Sequence, residues 1–202
     1  ANGHVLAPEV SIPGDVEDGD LVLLFLTTGN DVELDGPSGV SGWEEVTTLS
    51  SGPLIVTVFS TVASASDAGE TVTVGLSSQV KSDLVAVAYR GVAAEDPIEA
   101  LETAVAANTT EHGSPVVTVP GEHRTVLSFW AERSSSTTEW TPPDGVTVIS
   151  AQAGVGGGRV GSLLAAAQPE AGDYGDLVAR TDATSARRAA LTLVLAPGTV
   201  TP

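Results

Sequence analysis

The segment of this sequence closest to a known chemical motif is the glycine-rich run GGGRVG at 156–161. Its spacing fits G-x-G-x-x-G, which binds a dinucleotide pyrophosphate where a helix begins at the last glycine of a βαβ unit. The residues that follow, SLLAAAQ at 162–168, align instead with the strand-like LIVTVFSTV at 54–62. We therefore interpret the run as a loop between two strands, and a helix after Gly161 would contradict that interpretation.

Two kinds of acidic pattern could hold a cation. DVELDG at 31–36 begins like an EF-hand loop, but Gly42 stands where the closing bidentate carboxylate belongs. Acidic-Ala-Gly-acidic turns occur at 67–70 and 170–173, once in each half of the chain, and Gly19 has a similar setting. Because Asp and Gly are also the residues that tight turns require, we expect structural turns and no metal site.

Side chains suited to acid-base or nucleophilic chemistry are present without catalytic spacing. The histidines are His4, His112 and His123. They show neither H-x-H nor H-x-x-x-H spacing, so no zinc site is indicated, and no G-x-S-x-G nucleophile elbow occurs. Glycoside hydrolysis needs two carboxylates across a cleft, and in so acidic a chain Glu44, Glu45 and Glu132 do not stand out. The sequence predicts no catalytic, cofactor-binding or metal-binding residue, and a protein that is not an enzyme.

Tryptophan is the remaining candidate, because an exposed indole can stack on a sugar ring. The chain has three, Trp43, Trp130 and Trp140. Only 4% of its residues are aromatic, so each indole is expected more often to anchor the core or a loop. We favour anchoring for Trp43 and Trp140, which follow corresponding loops of the two halves.

Composition narrows the function classes. The 202 residues include 26 acidic and 8 basic side chains, a net charge of -18, so binding to nucleic acid or to an anionic membrane surface is not expected. There is no cysteine, and stability must come from packing and hydrogen bonds. The apolar run at 21–26 is too short to span a bilayer, and the first ten residues lack the layout of a signal peptide, so we expect a cytosolic product.

The elements that would position these residues are strands. Two segments have apolar residues at both odd and even positions, which is typical of strands covered on both faces: LVLLFLTT at 21–28 and LIVTVFSTV at 54–62. The second cover would be a neighbouring subunit or an overlying loop. TVTVGL at 71–76 alternates cleanly. About ten to twelve short strands separated by Gly- and Pro-bearing turns predict an all-β sandwich or barrel.

The two halves of the chain resemble each other. The stretch at 62–92 returns in degenerate form at 165–197, with its acidic-Gly-acidic turn displaced by 103 residues. We expect one jelly-roll-like β-sandwich domain over 1–202, with repeat one at about 1–93 and repeat two at about 115–202. The segment 94–114 lacks alternation and is interpreted as a crossover with a weakly signalled helical turn at 97–104. Two small β lobes that divide in this segment are the alternative.

The order of these turns and strands is similar to a known family. PGD…GDLVLLF at 13–25, GWEEV at 42–46, VAVAYRGV at 85–92 and DPIEA at 96–100 resemble β-sandwich domains of tailed-phage virion proteins and some bacterial surface proteins. The likeness extends to the ending LTLVLAP at 191–197. It implies a jelly-roll-like fold and brings no catalytic residues.

The resemblance implies a virion component. Head decoration or a head fibre on the particle surface is the first expectation, and a minor tail role or a glycan-binding adhesion module is the alternative. Its partners would be copies of itself, expected as a homotrimer because of the doubly apolar strands, and major capsid or tail proteins. A host-surface glycan is a further candidate, and no cofactor is expected.

Overall fold

The first half of the chain forms two antiparallel sheets in a computed structural model that describes residues 4–198. Its strands are β1 (His4–Val5), β2 (Glu9–Ser11), β3 (Leu21–Thr28), β4 (Leu34–Ser38), β5 (Glu44–Ser51), β6 (Leu54–Val62), β7 (Thr71–Leu76) and β8 (Val80–Tyr89). The larger sheet has the order β1-β8-β3-β6-β5, and the smaller has the order β2-β7-β4. A single 3-10 turn at Ala65–Asp67 is the one helical element in the described residues.

The second half forms a second five-stranded sheet and two short ones. Its strands are β9 (Ile98–Ala106), β10 (Thr109–Gly113), β11 (Val117–Val119), β12 (Thr125–Ser134), β13 (Trp140–Thr141), β14 (Thr147–Gln152), β15 (Arg159–Ala167), β16 (Gly172–Tyr174), β17 (Val178–Ser185) and β18 (Arg187–Leu195). The large sheet has the order β9-β18-β12-β15-β14. The short sheets are β11-β16 and β10-β17-β13.

The two halves have the same strand order. If β10 with β11, and β16 with β17, are each counted as one interrupted strand, every first-half strand has a counterpart at the same place in the second half. In both halves the chain alternates between the large and the small sheet except at the β5–β6 and β14–β15 hairpins. Such alternation between two packed sheets is the arrangement of jelly-roll-like sandwiches. Each half of the chain is therefore a sandwich of its own.

The two large sheets pack face to face and share one apolar core. Alternate residues of β3, β6 and β8 meet alternate residues of β12, β15 and β18. At its centre Phe25 stacks on Phe129 with ring centroids 4.8 Å apart and an interplanar angle of 23°. The opposite faces of the same strands pack on the small sheets, around Leu24 and Val74 in the first half and around Trp130 and Leu163 in the second. The large sheets are therefore inner layers.

This layering explains the doubly apolar strands. All eight residues of β3 are buried, and so are most residues of β6. One face meets the other half of the chain and the other face meets the small sheet, so both covers are intramolecular. The apolar pattern that motivated a homotrimer is thus accounted for without a second copy.

Several sequence predictions are confirmed and others are wrong. The all-β fold is confirmed, as are the bounds 21–28, 54–62 and 71–76. The stretch 94–114 is not a plain crossover, because β9 and β10 lie within it, and the helical turn expected at 97–104 is wrong, since 98–104 is strand. Its periodicity is weak because β9 is an edge strand and each residue of it keeps some exposure. Eighteen strands occur within residues 4–198, more than expected.

Candidate functional site

The first candidate site in the described chain is a cluster of buried polar side chains in the second sandwich, between β12 and the sheet β10-β17-β13. It contains His112, Glu132, Thr137, Thr181 and Ser185. Four of them have no exposed surface, and Thr181 is 6% exposed. The ring of His112 also packs at 4.8 Å against that of Trp140. The cluster ties the small sheet to the large one.

Hydrogen bonding defines the protonation of His112. The Thr181 hydroxyl donates to the carbonyl oxygen of Ala183 at 2.8 Å, so its oxygen accepts from His112 Nε2 at 3.1 Å. The imidazole is therefore the Nε2–H tautomer, and Nδ1 has no partner among the described residues. Burial, with Arg188 nearby, lowers the pKa of His112 to about 4, so the ring is neutral at pH 7.

Glu132 is buried without a charged partner in hydrogen-bond contact. Neither carboxylate oxygen meets a donor at hydrogen-bond geometry within residues 4–198. Burial raises the pKa of Glu132 to about 7, although the hydroxyls of Ser185 and Thr137 and the charge of Arg159 favour the ionised form. Near neutral pH this side chain is therefore divided between the neutral and the charged state.

The Ser-His-Glu combination lacks the geometry of a catalytic triad. Ser185 Oγ lies 3.3 Å from His112 Nε2, but that nitrogen carries the proton and cannot accept one from serine. Glu132 lies on the serine side of the ring rather than at Nδ1, where an orienting carboxylate belongs. All three side chains are closed off from solvent. The arrangement is that of a structural cluster.

The candidate binding site is a groove between the two sandwiches, formed by β8 on one side and β14 on the other. Four consecutive residues of β8, Asp83–Ala86, line a cavity of about 390 Å³ with Ile149, Ser150 and Gln152 of β14. Further along, Tyr89 and Arg90 line a cavity of about 520 Å³ with residues near the start of β14 and the end of β15. We call these two cavities together the β8–β14 groove.

Asp83 is the buried carboxyl group of this groove. It is 3% exposed and accepts a hydrogen bond from the hydroxyl of Ser162 on β15, which joins the two sandwiches. Burial raises the pKa of Asp83, and the bond from Ser162 opposes this effect. Asp83 was not among the candidates from the sequence. A lone carboxylate in an apolar strand, on the same face as Val85 and Val87, was nevertheless a usable signal of a buried acidic side chain.

The tryptophans are anchors. Trp130 has no exposed surface, and Trp140 is 6% exposed and donates from Nε1 to the carbonyl oxygen of Gln152 at 3.1 Å. Trp43 is half-buried against the outer core of the first sandwich. Trp130 and Trp140 are therefore both covered, and neither offers the exposed indole face on which a sugar ring could stack.

The other sequence candidates do not converge. Strand β15 begins at Arg159, inside the glycine run, so only 156–158 is loop, 159–161 is strand, and the residues after Gly161 continue that strand rather than begin a helix. Strand β4 begins inside 31–36, which is therefore not an open calcium loop. Gly19, Gly69 and Gly172 have positive φ, as their turns require. Among residues 4–198 no three His, Asp or Glu side chains are grouped to hold a metal ion.

The remaining candidates are dispersed. His4 and His123 are exposed, on β1 and in the turn before β12. Glu44 and Glu45 are exposed at the start of β5, remote in the fold from Glu132 on β12.

Comparison with known proteins gives no assignment. No protein-family model, no curated protein and no solved structure matches this chain. Within the described part of the chain, no helix has the length and apolar character needed to cross a membrane.

Proposed function

We propose that this protein is a non-enzymatic structural component of a virus particle, a capsid decoration or head-fibre protein exposed on the particle surface. The observation that carries the proposal is the order of turns and strands at 13–25, 42–46, 85–92 and 96–100, which is similar to that of tailed-phage virion domains. The fused double sandwich and its apolar shared core suit such a role, because they provide a stiff body with a turn-rich surface.

The polar chemistry of the chain is consistent with this proposal. Its most perturbed titratable groups, Glu132 and His112, are enclosed between structural strands rather than directed into a cavity. The excess of acidic side chains would keep an exposed protein soluble and would bias it toward partners with positive surface charge. The partners we propose are major capsid or tail proteins.

Particle association tests the proposal. Particles purified from the host of origin should contain this chain by mass spectrometry at a copy number comparable to that of the major capsid protein. The recombinant chain should also co-sediment with empty capsids. A compact monomer by light scattering that neither binds empty capsids nor occurs in purified particles would overturn the proposal. A trimer by light scattering would support the expectation of a homo-oligomer.

A minor tail or glycan-binding role is the alternative to decoration. Since Trp130 and Trp140 are buried, a glycan site would have to use polar loops instead of an indole platform. Strong hits on a glycan array would favour this alternative over decoration.

A further inference from the structure

The seven arginines of this chain divide into two groups by their partners. Arg90, Arg124 and Arg180 form ion pairs with carboxylates. The other four donate hydrogen bonds only to backbone carbonyl oxygens, and they are Arg133, Arg159, Arg187 and Arg188. All 26 acidic side chains of the sequence lie within the described residues 4–198, and none of them forms an ion pair with these four.

Two of these arginines, Arg133 and Arg187, are direct neighbours. They lie opposite each other in the β12–β18 ladder, which places their Cβ atoms about 5 Å apart. Both lie on the face of the shared core, because Ala131 and Ala189, two residues away on the same strands, belong to that core. Each arginine is partly buried. Two like charges that are adjacent and partly removed from water repel each other when no anion is near them.

Both side chains reach over the end of the shared core to the first sandwich. Arg133 Nε donates to the carbonyl oxygen of Gly29, the residue after β3, at 2.9 Å. Arg187 Nε lies 2.8 Å from the position that a Cβ would take at Gly52, in the turn between β5 and β6. Strands β3 and β6 are paired and therefore about 4.8 Å apart, so the two guanidinium groups lie over neighbouring strand ends.

Lys81 adds a third positive charge at this end of the core. Its carbonyl oxygen accepts a hydrogen bond at 2.8 Å from the amide of Gly29, the residue that Arg133 also contacts. Its Nζ donates to the carbonyl oxygen of Val155, on the glycine-rich loop before β15, at 3.0 Å. We call Lys81, Arg133 and Arg187 the cationic rim. It is a local concentration of positive charge in a chain whose net charge is -18.

A structural role accounts for only part of this arrangement. The bond from Arg133 to Gly29 holds the two sandwiches together. It does not explain a second arginine beside the first, because Arg187 donates only to the carbonyl oxygen of the preceding residue, Ala186, at 2.7 Å. A guanidinium group presents five N–H donors in one plane, which is the geometry that recognises phosphate, sulfate and carboxylate oxygens.

We propose that the cationic rim binds one oxyanion group, a phosphate, sulfate or carboxylate, between Arg133 and Arg187. The anion removes the repulsion between the two guanidinium groups and accepts the N–H donors that their carbonyl bonds leave over. Lys81 adds to the attraction from the side. A free or esterified phosphate and an acidic side chain of a partner offer the same chemistry. This inference goes beyond the virion role and does not depend on it.

The Nε–H resonances of the arginines test binding in the full chain. When inorganic phosphate replaces NaCl at constant ionic strength, the signals of Arg133 and Arg187 should shift and saturate with a dissociation constant of about 1–10 mM, while those of Arg124 and Arg180 should not move. Equal shifts of all seven signals would indicate screening alone. That result, or the absence of any shift at about 50 mM phosphate, would overturn the proposal.

Glutarate, a small dicarboxylate, distinguishes the two sources of the anion. Tighter binding of phosphate than of glutarate would assign the site to a free or esterified oxyanion. Tighter binding of glutarate would assign it to an acidic side chain of a partner protein. Either order, with shifts confined to Arg133 and Arg187, supports the site.

Melting temperatures separate binding from a structural role. Arg187→Gln removes one of two adjacent like charges, so without phosphate it should melt no lower than the wild type. Addition of about 20 mM phosphate at constant ionic strength should raise the melting temperature of the wild type but not of this variant. Arg180→Gln is the matched control, because it removes the same charge from an exposed ion pair, and it should respond to phosphate as the wild type does.

A conservative variant completes the test. Arg187→Lys keeps the charge without the planar donors, and its affinity for phosphate should fall by about tenfold rather than vanish. If Arg187→Gln is destabilised by the same amount at every phosphate concentration, the arginine is only a structural tie and the proposal is wrong. If a variant does not fold, the titration of the wild-type chain decides the point.

Discussion

Glu132 and His112 oppose each other in their effect on stability. Folding raises the pKa of Glu132 from 4.5 to about 7, so its contribution is full below 4.5 and is lost as pH rises through 7. Folding lowers the pKa of His112 from 6.5 to about 4, so its contribution is full above 6.5 and is lost as pH falls through 4. Between about pH 4.5 and 6.5 the two residues change the free energy of unfolding with pH in opposite directions, and the two changes cancel.

Single substitutions should reveal the pH dependence of stability that each residue contributes. With Glu132→Gln, only His112 remains, and the free energy of unfolding should rise from pH 4.5 to 6.5 by up to about 2–3 kcal/mol relative to wild type. With His112→Gln it should fall by a similar amount. Urea titrations at several pH values measure both. Parallel profiles for the two variants would show that the cluster does not titrate as described.

Neighbouring charges do not disturb this comparison. Hydrogen bonds from Thr138 hold the pKa of Asp182 below 3.8, which is outside it. Other carboxylates contribute equally to all three proteins.

The buried polar cluster could not be predicted from the sequence. Glu132 is one acidic residue among 26, and only the fold places it beneath a small sheet. His112 lay in a segment that was taken for a crossover. Partners such as Thr181 and Ser185 are about 70 residues away along the chain, and only strand pairing brings them together.

At the scale of elements, close packing requires glycine at the last position of the glycine-rich run, Gly161. A Cβ at Gly161 in β15 would lie 2.7 Å from the carbonyl oxygen of Gln152 and 3.2 Å from Trp140 Nε1. Gly161→Ala should therefore lower the unfolding free energy by about 1–3 kcal/mol, measured by thermal or urea denaturation. Gly157→Ala is the matched control, since nothing lies within 4 Å of its Cβ, and a change beyond about 0.5 kcal/mol there would contradict this account.

Strands were predictable where both faces are covered. β3 and β6 are inner strands, and their continuous apolar runs gave correct bounds. β9 is an edge strand with Glu99 and Glu102 exposed, and β4 contains a glycine and a proline, so neither produced a periodic signal. Edge strands are positioned by the ladder beside them rather than by their own pattern.

At the scale of the molecule, surface charge should limit stability. With a net charge of -18, carboxylates repel one another in the folded state. Raising NaCl from 0.05 to 1 M, a change that shortens the Debye length to about 3 Å, should raise the melting temperature. KCl should act equally, because the effect is screening. A rise with one cation alone would instead indicate a specific site.

The two sandwiches should unfold together. Their large sheets share one core, so unfolding one half would expose the inner face of the other, including Phe129 and Leu193. Calorimetry should show one transition with equal calorimetric and van't Hoff enthalpies. Val74→Ala, in the outer core of the first half alone, should lower that single transition without splitting it.

Phe25 and Phe129 provide the direct test of this coupling. Each substitution to alanine should cost about 3–5 kcal/mol. Because the two rings stack across the shared core, the double variant should lose less than the sum of the single variants. Leu24→Ala with Phe129→Ala is the control pair, since Leu24 points into the outer core, and its costs should add. Additive losses for the phenylalanines, or two calorimetric transitions, would mean that the halves fold independently.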